Sequence, residues 1–289
     1  MSAIPNVTPE MDRMSPARLR SFVMPREHGA WGILLVPLVT GAWIGHPSAD
    51  RIAALVSFAV AALALFCLRT PAEAYLETSP LRAQTPSERK AIFYSAAFYG
   101  SIAVVALGIL FRKAQPYGLL LIGAAAGASF AVQARLRQLG RGTRLLAQLV
   151  GSLGLTSTAA AAYYLAAGRL DKNAIVLWAA NWLFAVNQIH FVQFRIRGAR
   201  SASAREELAR GQGFLLGQAL TALLLLAAWR GGFMPGLALA AFAPVFLRGT
   251  LWLFSPPAPL EIHRLGVSEL VHALVFGVLL ILGFQLGIG

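Results

Sequence analysis

The chain has 289 residues, of which 57% are hydrophobic and 13% are charged, and its net charge is +13. The charged share is about half of that in soluble proteins, so an ordinary soluble domain is excluded. The basic residues are spread over short segments between apolar runs. A nucleic-acid-binding face would gather them on one surface, so we expect a multi-pass membrane protein that binds no nucleic acid.

Nine apolar runs predict nine transmembrane helices, because about 20 apolar residues span the hydrocarbon core. The expected fold class is an all-α membrane helix bundle. Residues 1–23 are predicted to form a cytoplasmic tail with a short surface helix at 15–23, and residues 24–289 a single transmembrane domain. The predicted spans are 29–45, 52–68, 92–111, 116–132, 145–167, 174–194, 213–229, 233–254 and 267–288.

Basic residues assign the two sides of the predicted bundle. With the N-terminus inside, 19 of the 25 Lys and Arg residues fall in inner segments. Because positive charge accumulates on the cytoplasmic side, we expect a cytoplasmic (inner) membrane location, with the N-terminus inside and the C-terminus outside. The longest connections lie on the same side, and long loops often carry function, so we expect the site there.

Small residues recur four positions apart in several runs. Such spacing allows two helices to approach closely where lipid offers no hydrophobic driving force. We interpret these pairs as packing positions within the bundle. The pairs are 41 and 45, 123 and 127, 213 and 217, and 283 and 287.

The sixth run carries polar residues at its predicted inner end. Asn187, His190 and Gln193 share one helix face because they are three residues apart, and Arg195 and Arg197 follow. Polar groups inside a bilayer are costly and are candidates for function. We interpret His190 as a candidate catalytic residue and the other four as candidate substrate-binding residues. The alternative is interhelical hydrogen bonding with snorkelling arginines.

The ninth run opens with Glu269 and His272, one turn apart on one face. An acid beside an imidazole would fix its tautomer or raise its pKa, so both are candidate catalytic residues. A structural acid–base pair is the alternative. Arg26, Glu27 and His28 enter the membrane from the same side and are candidate binding residues. No spacing typical of metal ligands is present, so no metal site is predicted.

The loop after the second run contains Glu73 and Glu77. They are four residues apart, so they would face the same way if the segment were helical. We include both as candidate binding residues. A solvated turn is the alternative.

Residues 25–32 (PREHGAWG) resemble the opening of the first helix in the YwiC-like family of bacterial membrane proteins, and residues 264–270 look like that family too. The layout is similar to that of the UbiA superfamily of intramembrane prenyltransferases. That resemblance implies a central cavity open to the inner leaflet and Mg²⁺ held on a prenyl diphosphate by aspartate-rich motifs. The chain departs at those motifs, because Glu73 and Glu77 stand at the first and Asn187, His190 and Gln193 at the second. Amides and one imidazole suit Mg²⁺ poorly.

The resemblance and the polar residues together lead to two alternatives, beside a structural bundle with no cavity, which the intramembrane His, Glu and Asn residues disfavour. The first is a divergent UbiA-like membrane enzyme that acts on a lipid or isoprenoid substrate from the cytoplasmic leaflet. In it, Arg26, Arg195 and Arg197 would bind an anionic head group. The second is a non-catalytic binder, transporter or accessory subunit for a quinone, haem or lipid. Convergence of the polar residues in space would favour the first.

Overall fold

The computed structural model describes residues 16–25, 28–76, 83–114, 116–198, 204–253 and 261–287. Regular structure in these ranges is helical, which confirms the predicted all-α membrane bundle. Two 3₁₀ segments lie at Arg141–Thr143 and Gly236–Phe242. The α-helices are α1 (Pro16–Val23), α2 (His28–Ile44), α3 (Ala49–Tyr75), α4 (Pro86–Lys113), α5 (Pro116–Gln138), α6 (Arg144–Thr156), α7 (Thr158–Ala167), α8 (Lys172–Gly198), α9 (Ala204–Arg230), α10 (Ala243–Leu253) and α11 (Ile262–Leu286).

Seven helical stretches in the described part of the chain are long and apolar enough to cross a membrane. Two shorter apolar stretches, Gly29–Ile44 and Gly236–Trp252, lie where the first and eighth spans were predicted. Several apolar helices of this length confirm a multi-pass membrane protein. The number nine, the membrane in which the chain resides and the orientation of its termini stay predictions.

Two predicted spans differ from single continuous α-helices. The fifth is divided into α6 and α7 at Ser157, where the hydroxyl groups of Thr156, Ser157 and Thr158 donate to carbonyls three or four residues earlier. Such side-chain bonds compete with the helical ladder. The eighth begins only at Gly236, after Pro235 in an extended conformation, and its first part is a 3₁₀ segment.

The helices form two compact units. The first contains Met1–Arg26 and Val56–Lys113, and the second contains Glu27–Leu55 and Ala114–Gly289. The prediction of a single transmembrane domain over residues 24–289 stays a prediction.

In the first unit, α4 begins with a reciprocal cap. The Thr85 hydroxyl accepts the backbone N–H of Glu88 at 3.2 Å, and Glu88 Oε2 accepts the backbone N–H of Thr85 at 3.3 Å and of Gln84 at 2.6 Å. This is a capping box, with Pro86 at the first helical position, where its missing N–H costs nothing. The sequence of Thr85 to Glu88 therefore dictates where α4 starts.

The other oxygen of Glu88 holds α1. Arg18 Nε donates to Glu88 Oε1, and this hydrogen bond raises the pKa of the Arg18 guanidinium above its usual value. Phe22, one turn further along α1, is fully buried in a core with Ala74 and Ile92. The predicted helix at 15–23 is thus present, joined to α4 by an ion pair and a phenylalanine.

In the second unit, close approach between helices depends on small residues. A Cβ on Gly41 of α2 would collide with the backbone of Ala159 in α7, so only glycine allows this contact. In the pairs 41/45, 213/217 and 283/287, a Cβ on one glycine or on both would collide with a neighbouring residue. A Cβ on Gly123 or Gly127 would meet no such neighbour within 4 Å in the described structure. The packing interpretation therefore fails for that one pair.

Candidate functional site

The charged centre of the second unit is an ion pair between Arg248 of α10 and Glu269 of α11. Arg248 Nη1 donates to Glu269 Oε1, and the two residues are only 8% and 3% exposed. Burying two charges is costly even when they are paired, and ionisable groups within apolar helices usually mark functional positions. This pair is therefore the starting point for a candidate site.

Aromatic rings support the two buried arginines of this region. The guanidinium carbon of Arg248 lies 3.9 Å from the centre of the Phe191 ring, and that of Arg195 lies 3.5 Å from the centre of the Trp252 ring. A desolvated cation on a ring face gains about 2 kcal/mol. A ring contact of this kind uses none of the N–H donors of the arginine.

A phenylalanine cluster joins the helices that carry these residues. Phe191 and Phe194 of α8 pack with Phe214 of α9, and Trp252 of α10 and Leu265 of α11 lie against them. The rings of Phe194 and Phe214 stack with their centres 5.3 Å apart. The end of α8, the start of α9, the end of α10 and the start of α11 therefore meet at one place, which we call the arginine–aromatic cluster.

Amide side chains of α8 connect the cluster to its neighbours. Gln188 Nε2 donates to the backbone oxygen of Glu269 at 2.7 Å, and Gln193 Nε2 donates to Gln148 Oε1 of α6 at 3.2 Å. Asn187 is buried beside Gln188. The predicted binding residue Gln193 thus makes an interhelical hydrogen bond, as in the alternative interpretation of this face.

The two predicted catalytic histidines lie at the same end of the unit. A Cβ on Gly217 of α9 would stand 2.7 Å from His190 Nδ1, so the His190 ring lies directly against that glycine. His272 Nδ1 is 2.7 Å from the backbone oxygen of Ser268. A carbonyl can only accept, so Nδ1 carries the proton and Nε2 is the accepting nitrogen.

The expected partnership between Glu269 and His272 is corrected by this geometry. The His272 tautomer is set by the Ser268 carbonyl, and the Glu269 carboxylate pairs with Arg248 instead. The physical reason is charge: a buried carboxylate is stabilised far more by a guanidinium than by a neutral imidazole.

Several polar atoms of the cluster have no hydrogen-bond partner within the described structure. They are Nε and Nη2 of Arg248, Oε2 of Glu269, Nε2 of Gln218 and Oδ1 of Asn187. Leaving a buried donor or acceptor unsatisfied costs about 1–3 kcal/mol, and more for a charged group. Five such atoms on the four helices α8 to α11 are unusual in a structure held together only by packing.

The remaining predicted residues are distributed differently. Arg26, Glu27 and Glu77 lie outside the described residues, as do the side chains of His28 and Arg197. Glu73 belongs to the first unit, where its Oε1 accepts a hydrogen bond from Arg69 Nε at 2.9 Å. The helix that begins at His28 does approach α11, because a Cβ on Gly32 would lie 3.2 Å from Cβ of Ala273.

Sequence reasoning missed Arg248 and Gln218 as site residues. Arg248 counted only toward the charge asymmetry, although it interrupts the apolar run at 233–254. An arginine within such a run is a functional candidate by default, so that signal was available. Gln218 gives a weaker signal, because one glutamine in an apolar helix is common in interhelical hydrogen bonds.

The described residues do not fit the Mg²⁺ site that the UbiA resemblance implies. No group of three or more His, Cys, Asp or Glu side chains in the described ranges could hold a metal ion. Glu73 is paired with Arg69, and the face of α8 offers amides and an imidazole where Mg²⁺ prefers carboxylate oxygens. The described side chains therefore do not supply the Mg²⁺ ligands that the resemblance implies.

The fold and the cluster define a multi-pass helical membrane protein with charged groups enclosed among its helices. The model of the YwiC-like protein family matches residues 24–163, which confirms the resemblance drawn from residues 25–32. The match covers just under half of the chain and ends in α7, before the helices that form the arginine–aromatic cluster. No curated protein and no solved structure matches the chain, so the likeness to the UbiA superfamily and that of residues 264–270 stay predictions.

Proposed function

We propose that this chain takes up a lipid or isoprenoid by its polar end at the arginine–aromatic cluster and acts on it as a divergent UbiA-like enzyme of the cytoplasmic leaflet. The observation that carries the proposal is the burial of Arg195 and Arg248 on aromatic rings among apolar helices. Positive charge enclosed in this way is well suited to an anionic group whose apolar remainder lies among lipid chains.

The enzymatic part of the proposal depends on His190 and His272. The His190 ring lies against Gly217 of α9, and the neighbouring residue Gln218 lies against Gly249 of α10. The imidazole of His190 is therefore close to the helices that form the cluster. His272 presents Nε2 as an acceptor because its Nδ1 is engaged by Ser268. Either ring could accept a proton from a bound substrate, which is the usual contribution of histidine to acid–base catalysis.

Non-catalytic binding is the second candidate, and one observation favours it. Glu269, the carboxylate expected to act as an acid or base, is already paired with Arg248. Its Oε1 is engaged by the guanidinium, so the carboxyl group is already occupied by a partner within the protein. A quinone, haem or lipid carried without reaction would use the same cluster.

Both candidate functions require that the protein binds an amphiphile. Purification in a neutral detergent followed by lipid extraction and mass spectrometry tests this binding. We expect an amphiphile with an anionic group in about one-to-one ratio with the protein. A haem absorption band or a stoichiometric quinone would favour the binder. A ligand-free protein that also takes up nothing from host membrane extracts would contradict both.

A matched pair of glycines tests catalysis. Gly217→Ala places a methyl group against the His190 ring, whereas Gly213→Ala, one turn earlier on α9, meets nothing within 4 Å. When the purified protein converts a component of host membrane extract, we expect Gly217→Ala to lower the rate at least tenfold and Gly213→Ala to leave it unchanged. Equal rates in the two variants would remove His190 from the mechanism.

A further inference from the structure

We propose that Arg248 binds a two-oxygen anion, a carboxylate or a phosphate group, on the Nε and Nη2 edge of its guanidinium, with Gln218 Nε2 as a third donor. The inference rests on the proposed function and specifies the chemistry of the ligand's polar end. Arg248 already makes two contacts within the protein. Its Nη1 donates to Glu269, and its guanidinium carbon lies over the Phe191 ring.

The free donors of Arg248 form one geometric unit. In a guanidinium, the N–H of Nε and one N–H of Nη2 run nearly parallel along the same edge, which matches the spacing of two oxygens on a carboxylate or phosphate. Nε and Nη2 are the two nitrogens of Arg248 with no partner in the described structure. Since the residue is more than nine-tenths buried, bulk water cannot readily satisfy them.

Gln218 of α9 offers a further donor next to the helix that carries Arg248. Its amide lies against Gly249, the residue after Arg248, so closely that a Cβ at position 249 would collide with it. Nε2 of this amide is also buried and without a partner in the described residues. Nε and Nη2 of Arg248 and Nε2 of Gln218 are therefore buried donors without partners in the described residues, on two helices that contact each other, α10 and α9.

Glu269 satisfies only one of the three nitrogens of Arg248 by hydrogen bonding. Glu269 Oε1 holds one nitrogen of the guanidinium, and Gln188 fixes the backbone of Glu269 from α8. The carboxylate therefore stays beside Nη1, and the edge of the guanidinium formed by Nε and Nη2 remains for the ligand. Glu269 Oε2, which has no partner in the described structure, would accept a hydroxyl or amine proton of the same ligand.

Binding of simple amphiphiles to the full chain in dodecyl maltoside tests the inference. The probes are dodecyl phosphate, dodecanoate, uncharged dodecanol and inorganic phosphate, and the variants are Arg248→Lys and Arg264→Lys. Lysine keeps the charge but loses the parallel donors. Arg264 is 83% exposed on the side chain and serves as the matched control. We expect an at least tenfold loss of affinity for an anionic probe in Arg248→Lys, equal to about 1.4 kcal/mol, and none in Arg264→Lys.

A second variant keeps the test decisive when Arg248→Lys does not fold. Gln218→Met removes the third donor at similar volume, and we expect affinity for the same anionic probe to fall about threefold. Wild-type protein that binds dodecanol as tightly as the anionic probes, or that binds none of the probes, would overturn the inference. So would equal affinity for an anionic probe in wild type and Arg248→Lys.

The outcomes also separate the inference from the proposed function. An extracted native lipid that remains bound in Arg248→Lys would leave the proposed function intact and refute the site. Inorganic phosphate that binds as tightly as dodecyl phosphate, with the same loss in Arg248→Lys, would support the two-oxygen site. It would contradict the lipid or isoprenoid substrate instead.

Discussion

In the part of the chain that the structure describes, two arginines each bind a buried glutamate, and the two pairs differ in how completely their hydrogen-bonding groups are satisfied. In the first unit, Glu88 uses both oxygens, one on Arg18 and one on backbone N–H groups of its own helix cap. In the second unit, Glu269 uses one carboxylate oxygen on Arg248 and leaves the other without a partner in the described structure. The side chain of Arg18 is 36% exposed and that of Arg248 only 7%.

This difference separates a structural pair from a candidate binding pair. Arg18 and Glu88 fix a short helix to the start of a long one, and the partly exposed guanidinium keeps its hydration. Arg248 and Glu269 are desolvated yet retain free donors and an acceptor, so their bonding capacity is incomplete without a ligand. We expect the first pair to contribute to stability alone and the second to both stability and binding.

The largest expected effect comes from removing one charge of the buried pair. Arg248→Met leaves the buried carboxyl group of Glu269 without its partner, and breaking a buried pair in this way costs about 3–5 kcal/mol. Thermal unfolding in neutral detergent should show a large drop in midpoint. The double variant Arg248→Met with Glu269→Gln removes both charges and should recover most of the stability. A double variant as unstable as the single one would mean that the pair is not what limits stability.

The sequence predicted the helical class, because apolar runs and charge asymmetry are properties of single segments. Four of the residues that it singled out as site candidates, Arg195, His190, Glu269 and His272, lie on α8 and α11. Their role in a site stays a prediction. What it could not provide is which side chain pairs with which. Glu269 and His272 share a helix, so local spacing suggested a contact between them, while the stronger partner, Arg248, comes from a different helix and depends on tertiary packing.

The helix start at α4 and the 3₁₀ segment also differ in whether local sequence or tertiary packing determines them. The start of α4 is encoded by four consecutive residues, Thr85 to Glu88, and could have been predicted from the capping pattern alone. The 3₁₀ segment at Gly236–Phe242 could not, because its small residues are equally suited to an α-helix. Its conformation accompanies close packing on α11, where a Cβ on Gly283 would collide with the backbone of Ala238.

A smaller effect is expected at the capping residue of the first unit. Thr85→Ala removes the hydroxyl that accepts the Glu88 N–H, and losing such a cap costs about 1 kcal/mol. Ser101→Ala in the same helix is the control, since its exposed hydroxyl donates only to the Ala97 carbonyl one turn earlier. Chemical denaturation in neutral detergent should distinguish the two variants. Thr85→Ala should leave binding of anionic amphiphiles unchanged, and a loss of binding would contradict the separation of the two pairs.

The smallest effect expected is the response of the two pairs to salt. Raising the ionic strength from about 0.01 M to about 1 M shortens the screening length from about 30 Å to about 3 Å, which weakens pairs that contact water and leaves enclosed pairs nearly unaffected. Hydrogen exchange followed by mass spectrometry measures how salt changes the protection of backbone amides near each pair. Backbone amides of α1 should exchange about twofold faster at high salt, because exposed ion pairs contribute little, whereas amides around Glu269 should not change. Equal acceleration at both places would show that water reaches Arg248, and the distinction between the two pairs would then fail.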